Sequence, residues 1–418
     1  MHGVRSLLSD RRYRRFVLAR TISLFGSTMA PIALSFAILG LGPGEQATEL
    51  GIVLFTRYLA QVIFTLGGGV LADRFSRQRM MVIADLAAAL TQALVAVLLL
   101  LGQASVPLLV VLSFVNGLAA SVFIPAADGV MPLLVPPDRV KDANATRQTG
   151  ENIARLLGAG GAGLSIALAG PAGALLVDAA TFLVSAVLIA GLGLPTAERS
   201  ASRSVLTDLR GGVREVTSRR WMLVGLGQFA VLNYCNAGGI YVLGPVIAEE
   251  HFRGAVGWSL ALGAQTVGFL LGSLVALRLQ ARRPLVVATV WTLAWPLPLL
   301  ALAGHLPLAV VVATMAVAGM GTQISEVLSR SVVQTQVPTS ALSRVASIDL
   351  ALSFTLVPLG FAAVGPFSQV VGVGRTLLVY AAVMVASAGL ALTSRSLRSI
   401  TAVRQGDVAP AGPSTQSG

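Results

Sequence analysis

Runs of about 20 residues that are almost free of charge recur along the whole chain, and each is long enough to cross ~30 Å of hydrocarbon as a helix. Lipid offers no partner to a backbone N–H or C=O, so an apolar run buried in it must bond internally, and the helix is the form that does so within one segment. The runs fall at 16–40, 48–72, 80–102, 106–127, 150–169, 172–194, 221–247, 256–279, 284–303, 306–328, 345–371 and 373–394, which predicts twelve spans. The stretch 128–149 is polar and broken by prolines, so the boundary between spans 4 and 5 is the least sharply marked. Composition supports the same class. Only 11% of the 418 residues are charged and 55% are hydrophobic. A soluble chain carries about 25% charged residues to face water.

The net charge of +12 invites a nucleic-acid reading, and the placement of the charge argues against it. The arginines stand in short groups between the apolar runs. If the N-terminus is cytoplasmic, every basic residue except Arg57, Arg253 and Arg375 falls in a cytoplasmic segment or at the inner end of a span. That is the positive-inside pattern, and it predicts a multi-pass protein of the plasma (inner) membrane with both termini cytoplasmic.

Residues 195–220 (PTAERSASRSVLTDLRGGVREVTSRR) form the longest polar interior segment, with a short amphipathic helix expected around 204–217. Six spans precede it and six follow, the layout of a transporter built from two related halves. The expected organisation is a first six-helix bundle with its tail (1–194), a cytoplasmic linker (195–220), a second bundle (221–395) and a disordered tail (396–418). Cys235 has no disulfide partner, and His2, His251 and His305 lack metal-ligand spacing. No G-x-x-x-x-G-K-[ST] nucleotide loop occurs, so any transport work draws on an ion or substrate gradient. No cofactor is expected.

The most specific local signal is GVLADRFSRQR, 69–79, between spans 2 and 3. It resembles the signature loop of the major facilitator superfamily in Gly69, Asp73, Arg74, Arg77 and Arg79, with Ser76 where that family usually has glycine. Segments 135–163, 177–187 and 336–366 are similar to the siderophore and macrolide exporters of that superfamily. Span 5 carries Gly158, Gly160, Gly161 and Gly163 without the proline of the drug-antiporter signature, and Ala276 replaces the acid in the second half's counterpart of the loop. The resemblance implies an all-α fold of two pseudo-symmetric six-helix bundles and proton-coupled efflux of a small organic molecule. It also implies a gate of Gly69, Asp73, Arg74, Arg77 and Asp128, in which Gly69 lets helices approach, Asp73 sits by the start of span 11, and Arg77 pairs with Asp128 at the end of span 4.

Ionisable groups within spans are costly and point to function. Glu151 with Arg155, and Glu326 with Arg330, stand at the favourable i,i+4 spacing near the cytoplasmic face. Arg57 and Asp178 lie deeper at similar depth and suggest a pair; Asp349, in the inner half of span 11, is a further proton-coupling candidate. In the resembling family spans 1, 4, 7 and 10 line the central cavity. That nominates Ser23, Ser27, Thr28, Asn116, Gln228, Asn233, Tyr234, Asn236, Thr322 and Gln323 as substrate contacts, neutral groups suited to a bulky, partly apolar molecule. The same residue types also bond helix to helix. An importer or facilitator of the same fold is the alternative. An intramembrane enzyme lacks its nucleophile–base set. The expected partners are the bilayer and a small-molecule substrate, with the chain acting as a monomer.

Overall fold

The computed structural model describes residues 7–42, 44–74, 76–194, 211, 213–338, 341–342, 345, 348–349 and 355–401, with the backbone alone at 65–74, 132 and 137. Helices fill nearly all of it. They are α1 (Arg11–Leu39), α2 (Gln46–Arg74), α3 (Arg77–Leu100) and α4 (Val106–Asp128). A 51-residue run, Val140–Ala190, turns back at Gly170 into α5 (140–169) and α6 (171–190). Then come α7 (Arg220–His251), α8 (Ala255–Arg278), α9 (Pro284–Ala303), α10 (Leu308–Gln336), α11 (Val357–Val371) and α12 (Val373–Thr393). The described part of span 11 is shorter than its apolar run, because 350–354 lie outside the described residues.

Sequence chemistry explains the ends and the breaks. Asp10 caps α1, accepting from the N–H groups of Arg12 (2.7 Å) and Tyr13 (3.1 Å), two donors that a helix start otherwise leaves unpaired. The turn at Gly170 needs φ +69°, a value a glycine takes without a Cβ clash, and Pro171 suits the first turn of the next helix. α5 runs beside α1 in the same direction: Gly150 meets Thr21 and Gly158 meets Phe25. α6 returns in the opposite direction: Thr181 and Asp178 meet Gly26, and Gly191 meets Arg15.

Two irregular turns follow from prolines. Pro245 has no N–H for the carbonyl four residues back, and α7 opens there into a π-turn, Gly239–Leu243. Pro296 likewise leaves the Thr292 carbonyl free, and the Trp295 N–H takes it at 3.0 Å in a 3-10 turn, Thr292–Ala294. The outer surface is apolar, as lipid requires, with Leu168 78% and Leu390 75% exposed.

The first six helices meet the last six near the face opposite the arginine-rich one. Gln369 of α11 donates to Thr48 Oγ1 of α2 at 2.9 Å, and the Tyr58 and Phe361 rings lie 5.0 Å apart. A Cβ added at Gly163 of α5 would stand 2.8 Å from Ser259 Cβ of α8, and one at Gly365 would clash with Thr48 Cα. These glycines let backbones touch, the small-residue packing that holds helices together where no hydrophobic force acts between them.

Of the linker, 195–210 and 212 lie outside the described residues; 213–217 are helical. Residues 396–401 of the tail expected to be disordered are described. Arg395–Arg398 is a helical turn with Leu397 buried, and 402–418 lie outside the described residues.

Candidate functional site

A cavity of about 760 Å³ enters between the helices at the arginine-rich face. Its rim carries Asp128 at the end of α4, Trp221 at the start of α7, Gln334 near the end of α10, and Asp349. Deeper in stand Gln228, Phe229, Asn233, Thr289, Thr292, Trp295 and Thr322. A smaller chamber of about 140 Å³ shares Asn233, Trp295 and Thr322 and adds Asn236, Tyr241 and Gln265. The π-turn of α7 brings Tyr241 to this chamber, and the 3-10 turn of α9 brings Trp295 to both.

The walls combine broad apolar contact with a few oriented polar groups, the pattern of a small-molecule site. Gln228 Nε2 donates to Thr292 Oγ1 at 2.9 Å, which fixes its amide and leaves its oxygen for other partners. Phe229 and Trp295 meet edge to face at 6.3 Å, holding an aromatic corner. Glu326 and Arg330 form an exposed ion pair at 2.5 Å within the same walls.

Several sequence-nominated residues lie elsewhere. Asn116 is buried and donates to Thr91 Oγ1 of α3 at 3.2 Å, so it ties two helices together instead of facing the cavity. The ring of Tyr234 packs on that of Tyr380 at 5.8 Å, and Gln323 packs against Gly272 of α8. Ser23, Ser27 and Thr28 are not among the cavity walls; the Thr28 hydroxyl bonds back to the Leu24 carbonyl at 2.7 Å. The apolar character of α4 on all sides explains the misreading, since such a helix gives no sign of which face turns inward.

The gate residues divide. Arg77 donates to the carbonyl of Gly129 and lies against that residue's backbone, while Asp128 next to it forms no ion pair among the described residues and faces the cavity. Gly69 lies within α2; the Asp73 and Arg74 side chains, and four of the six residues in 343–348, lie outside the described residues.

Of the expected pairings, Glu151 with Arg155 is present but is the longest of three, and Arg57 with Asp178 is corrected. Glu151 stands 3.8 Å from Arg155 but 2.6 Å from Arg147 and 3.2 Å from Arg20 of α1. Its carboxylate is buried and clamps α5 to α1, and the Arg20 guanidinium lies over the Phe123 ring at 5.2 Å. Arg57 and Asp178 form no ion pair. Asp178 instead accepts from Gln92 Nε2 of α3 at 2.6 Å. Asp85, buried on the same helix, drew no attention in the sequence.

A sequence profile described as Major Facilitator Superfamily matches residues 16–358. The chain belongs to the major facilitator superfamily. It is a multi-pass membrane transporter and not an enzyme. Among its relatives, the multidrug efflux pump Tap of Mycolicibacterium fortuitum is 28% identical over 359 residues, covering 82% of this chain and 86% of the relative. Macrolide efflux protein A of Streptococcus pyogenes is 20% identical over 370 residues, covering 86% and 90%. Two solved structures share the fold of this superfamily member. The nucleoside transporter NupG has TM-score 0.73 at 14% identity, covering 91% of this chain and 98% of its own. A bacterial homologue of the iron transporter ferroportin, in an inward-facing state, has TM-score 0.69 at 16% identity, covering 90% and 98%.

Proposed function

We propose that this chain is a proton-driven exporter of bulky, partly apolar organic molecules, working by alternating access. One observation carries the reading. The cavity opens at the arginine-rich face, and the two sets of six helices touch at the opposite one. Under the positive-inside rule the arginine-rich face is cytoplasmic, so this arrangement is the one that loads from the cytoplasm. Both termini then lie in the cytoplasm and the protein in the plasma membrane. The bundles 1–194 and 221–395 rock against each other as bodies, and one chain suffices. The efflux relatives support export, and the size and mixed lining of the cavity support a drug-like or macrolide-like substrate.

Asp349 and Glu326 stand where a proton and a substrate can compete, and Asp178 is a carboxylate for coupling within the first bundle. Purified protein in liposomes, with a radiolabelled macrolide and a fluorescent cationic dye as probes, tests the reading. The probes should cross unaltered and accumulate against their gradient when a proton gradient is imposed. Probe movement no faster than in protein-free liposomes would refute it. Orientation has its own check: in a Cys235→Ala background, Gly44→Cys and Gly254→Cys should label from outside, and Ser202→Cys only after permeabilisation.

A further inference from the structure

The interface of α3 with α6 carries a ladder of polar residues that is separate from the cavity. At the arginine-rich end, Gln78 Nε2 donates to the Ala190 carbonyl at 2.7 Å, and the Leu194 N–H donates to Gln78 Oε1 at 2.8 Å. Seven residues along α3, Asp85 faces Ser185 of α6. Seven further, Gln92 donates to Asp178 at 2.6 Å. Gln78, Asp85 and Gln92 stand at the heptad spacing, and their partners, Ala190 with Leu194, then Ser185, then Asp178, run in the opposite order. They place one rung every ~10 Å along an antiparallel pair.

The two inner rungs are dry and incompletely bonded. Asp178 is 0% exposed, Asp85 2% and Ser185 0%. Asp178 Oδ1, Asp85 Oδ2 and Ser185 Oγ have no hydrogen-bond partner. The charged groups turned toward them are Arg20 from α1 and Arg57 from α2, and neither reaches within 4.0 Å. Arg20 is already held by Glu151 of α5, and α4 contributes only Asn116, bonded to Thr91. A buried carboxylate with a bare oxygen and no cation in contact is costly as an anion; a proton removes the charge and supplies a donor.

We propose that Asp85 and Asp178 form a proton-binding seam between α3 and α6, distinct from the substrate cavity, whose carboxyls take up the driving proton in one state of the transport cycle and release it in the other. The step is a plain acid–base exchange. A proton from outside water binds a carboxylate oxygen to give the neutral acid, and the same proton leaves to cytoplasmic water. The seam is mechanically tied to α1. A Cβ added at Gly26 would clash with Asp178 Oδ1 and Thr181 Oγ1, so a change of charge at Asp178 acts on α1 with no slack between them. The inference rests on proton-driven export, and its test separates the two.

Inverted vesicles holding wild type, Asp85→Asn or Asp178→Asn are assayed with the radiolabelled macrolide, once under an imposed proton gradient and once in counterflow without one. Each variant should lose gradient-driven accumulation, down to the level wild type shows with a protonophore, and keep counterflow. Infrared difference spectra of the wild type should show the carbonyl stretch of a buried protonated carboxylic acid, diminished in each variant. Gradient-driven accumulation at wild-type level in both variants would overturn the seam and leave proton-driven export standing. Wild-type accumulation indifferent to the protonophore would overturn proton-driven export itself. Should the variants fail to fold, the wild-type spectrum decides alone: no protonated carboxyl band at any pH contradicts the proposal.

Discussion

Arg77 donates to the backbone carbonyl of Gly129, one residue beyond Asp128, the carboxylate to which the signature loop would join it. The side chain is therefore docked at the end of α4 while Asp128 faces the open cavity. The gate that the signature loop implies is expected to close by moving Arg77 from this carbonyl to the neighbouring carboxylate, exchanging one charge-assisted bond for another.

Arg77→Gln should slow transport while leaving probe affinity near wild type, because the bond biases the gate and touches no substrate. Losing a hydrogen bond to a charged group costs about 1.5–3 kcal/mol, so the rate should fall by roughly an order of magnitude or more. Initial rates against probe concentration separate the two effects. A rise in KM with unchanged maximal rate would place Arg77 in the binding site instead.

The Glu151 clamp predicts a contrast in stability. Glu151→Gln leaves the part-buried Arg20, whose Nε already lacks a partner, without its carboxylate, and breaking a buried pair from one side costs up to about 3–5 kcal/mol. Glu326→Gln removes an exposed pair and should cost no more than about 1 kcal/mol. Thermal unfolding followed by a thiol-reactive dye checks both, since Cys235 is buried and reports when the fold opens. Equal melting temperatures for the two variants would contradict the clamp.

Gln228→Ala and Trp295→Ala should weaken probe binding more than they slow turnover. Each removes a cavity contact available to bound and moving substrate alike, which raises KM with little change in maximal rate. Asn116→Ala should leave KM unchanged, because its amide is spent on Thr91. Transport kinetics with the macrolide probe measure all three. A KM defect in Asn116→Ala would return that residue to the cavity wall.

The helices were legible because lipid imposes one length and one bonding scheme on every span, and Gly170-Pro171 marked the turn between α5 and α6. Facing directions were not. A span apolar on all sides does not show which stripe meets lipid, so Asn116 and Tyr234 were assigned to the cavity while Trp221, Phe229 and Trp295 went unnoticed. Partners distant in sequence were equally hidden: Arg20 meets Glu151 across 131 positions, closer than the Arg155 that local spacing suggests. Asp85 escaped because a single acid near a basic helix start reads as a surface residue. Only its packing against α6 buries it. Two signals were present: the heptad series Gln78, Asp85 and Gln92, and its counterpart Asp178 and Ser185.

Alternating access about the cavity is the central claim, and paired spin-label distances test it most directly. One pair spans the arginine-rich face (Asp138→Cys with Gln334→Cys) and one the opposite face (Glu45→Cys with Gln369→Cys), each in a Cys235→Ala background. Reconstituted protein is measured with and without the macrolide probe and across pH. The account predicts opposite movement: under conditions that shorten the first distance, the second lengthens. Two distances that stay fixed, or that change in the same direction, would contradict it.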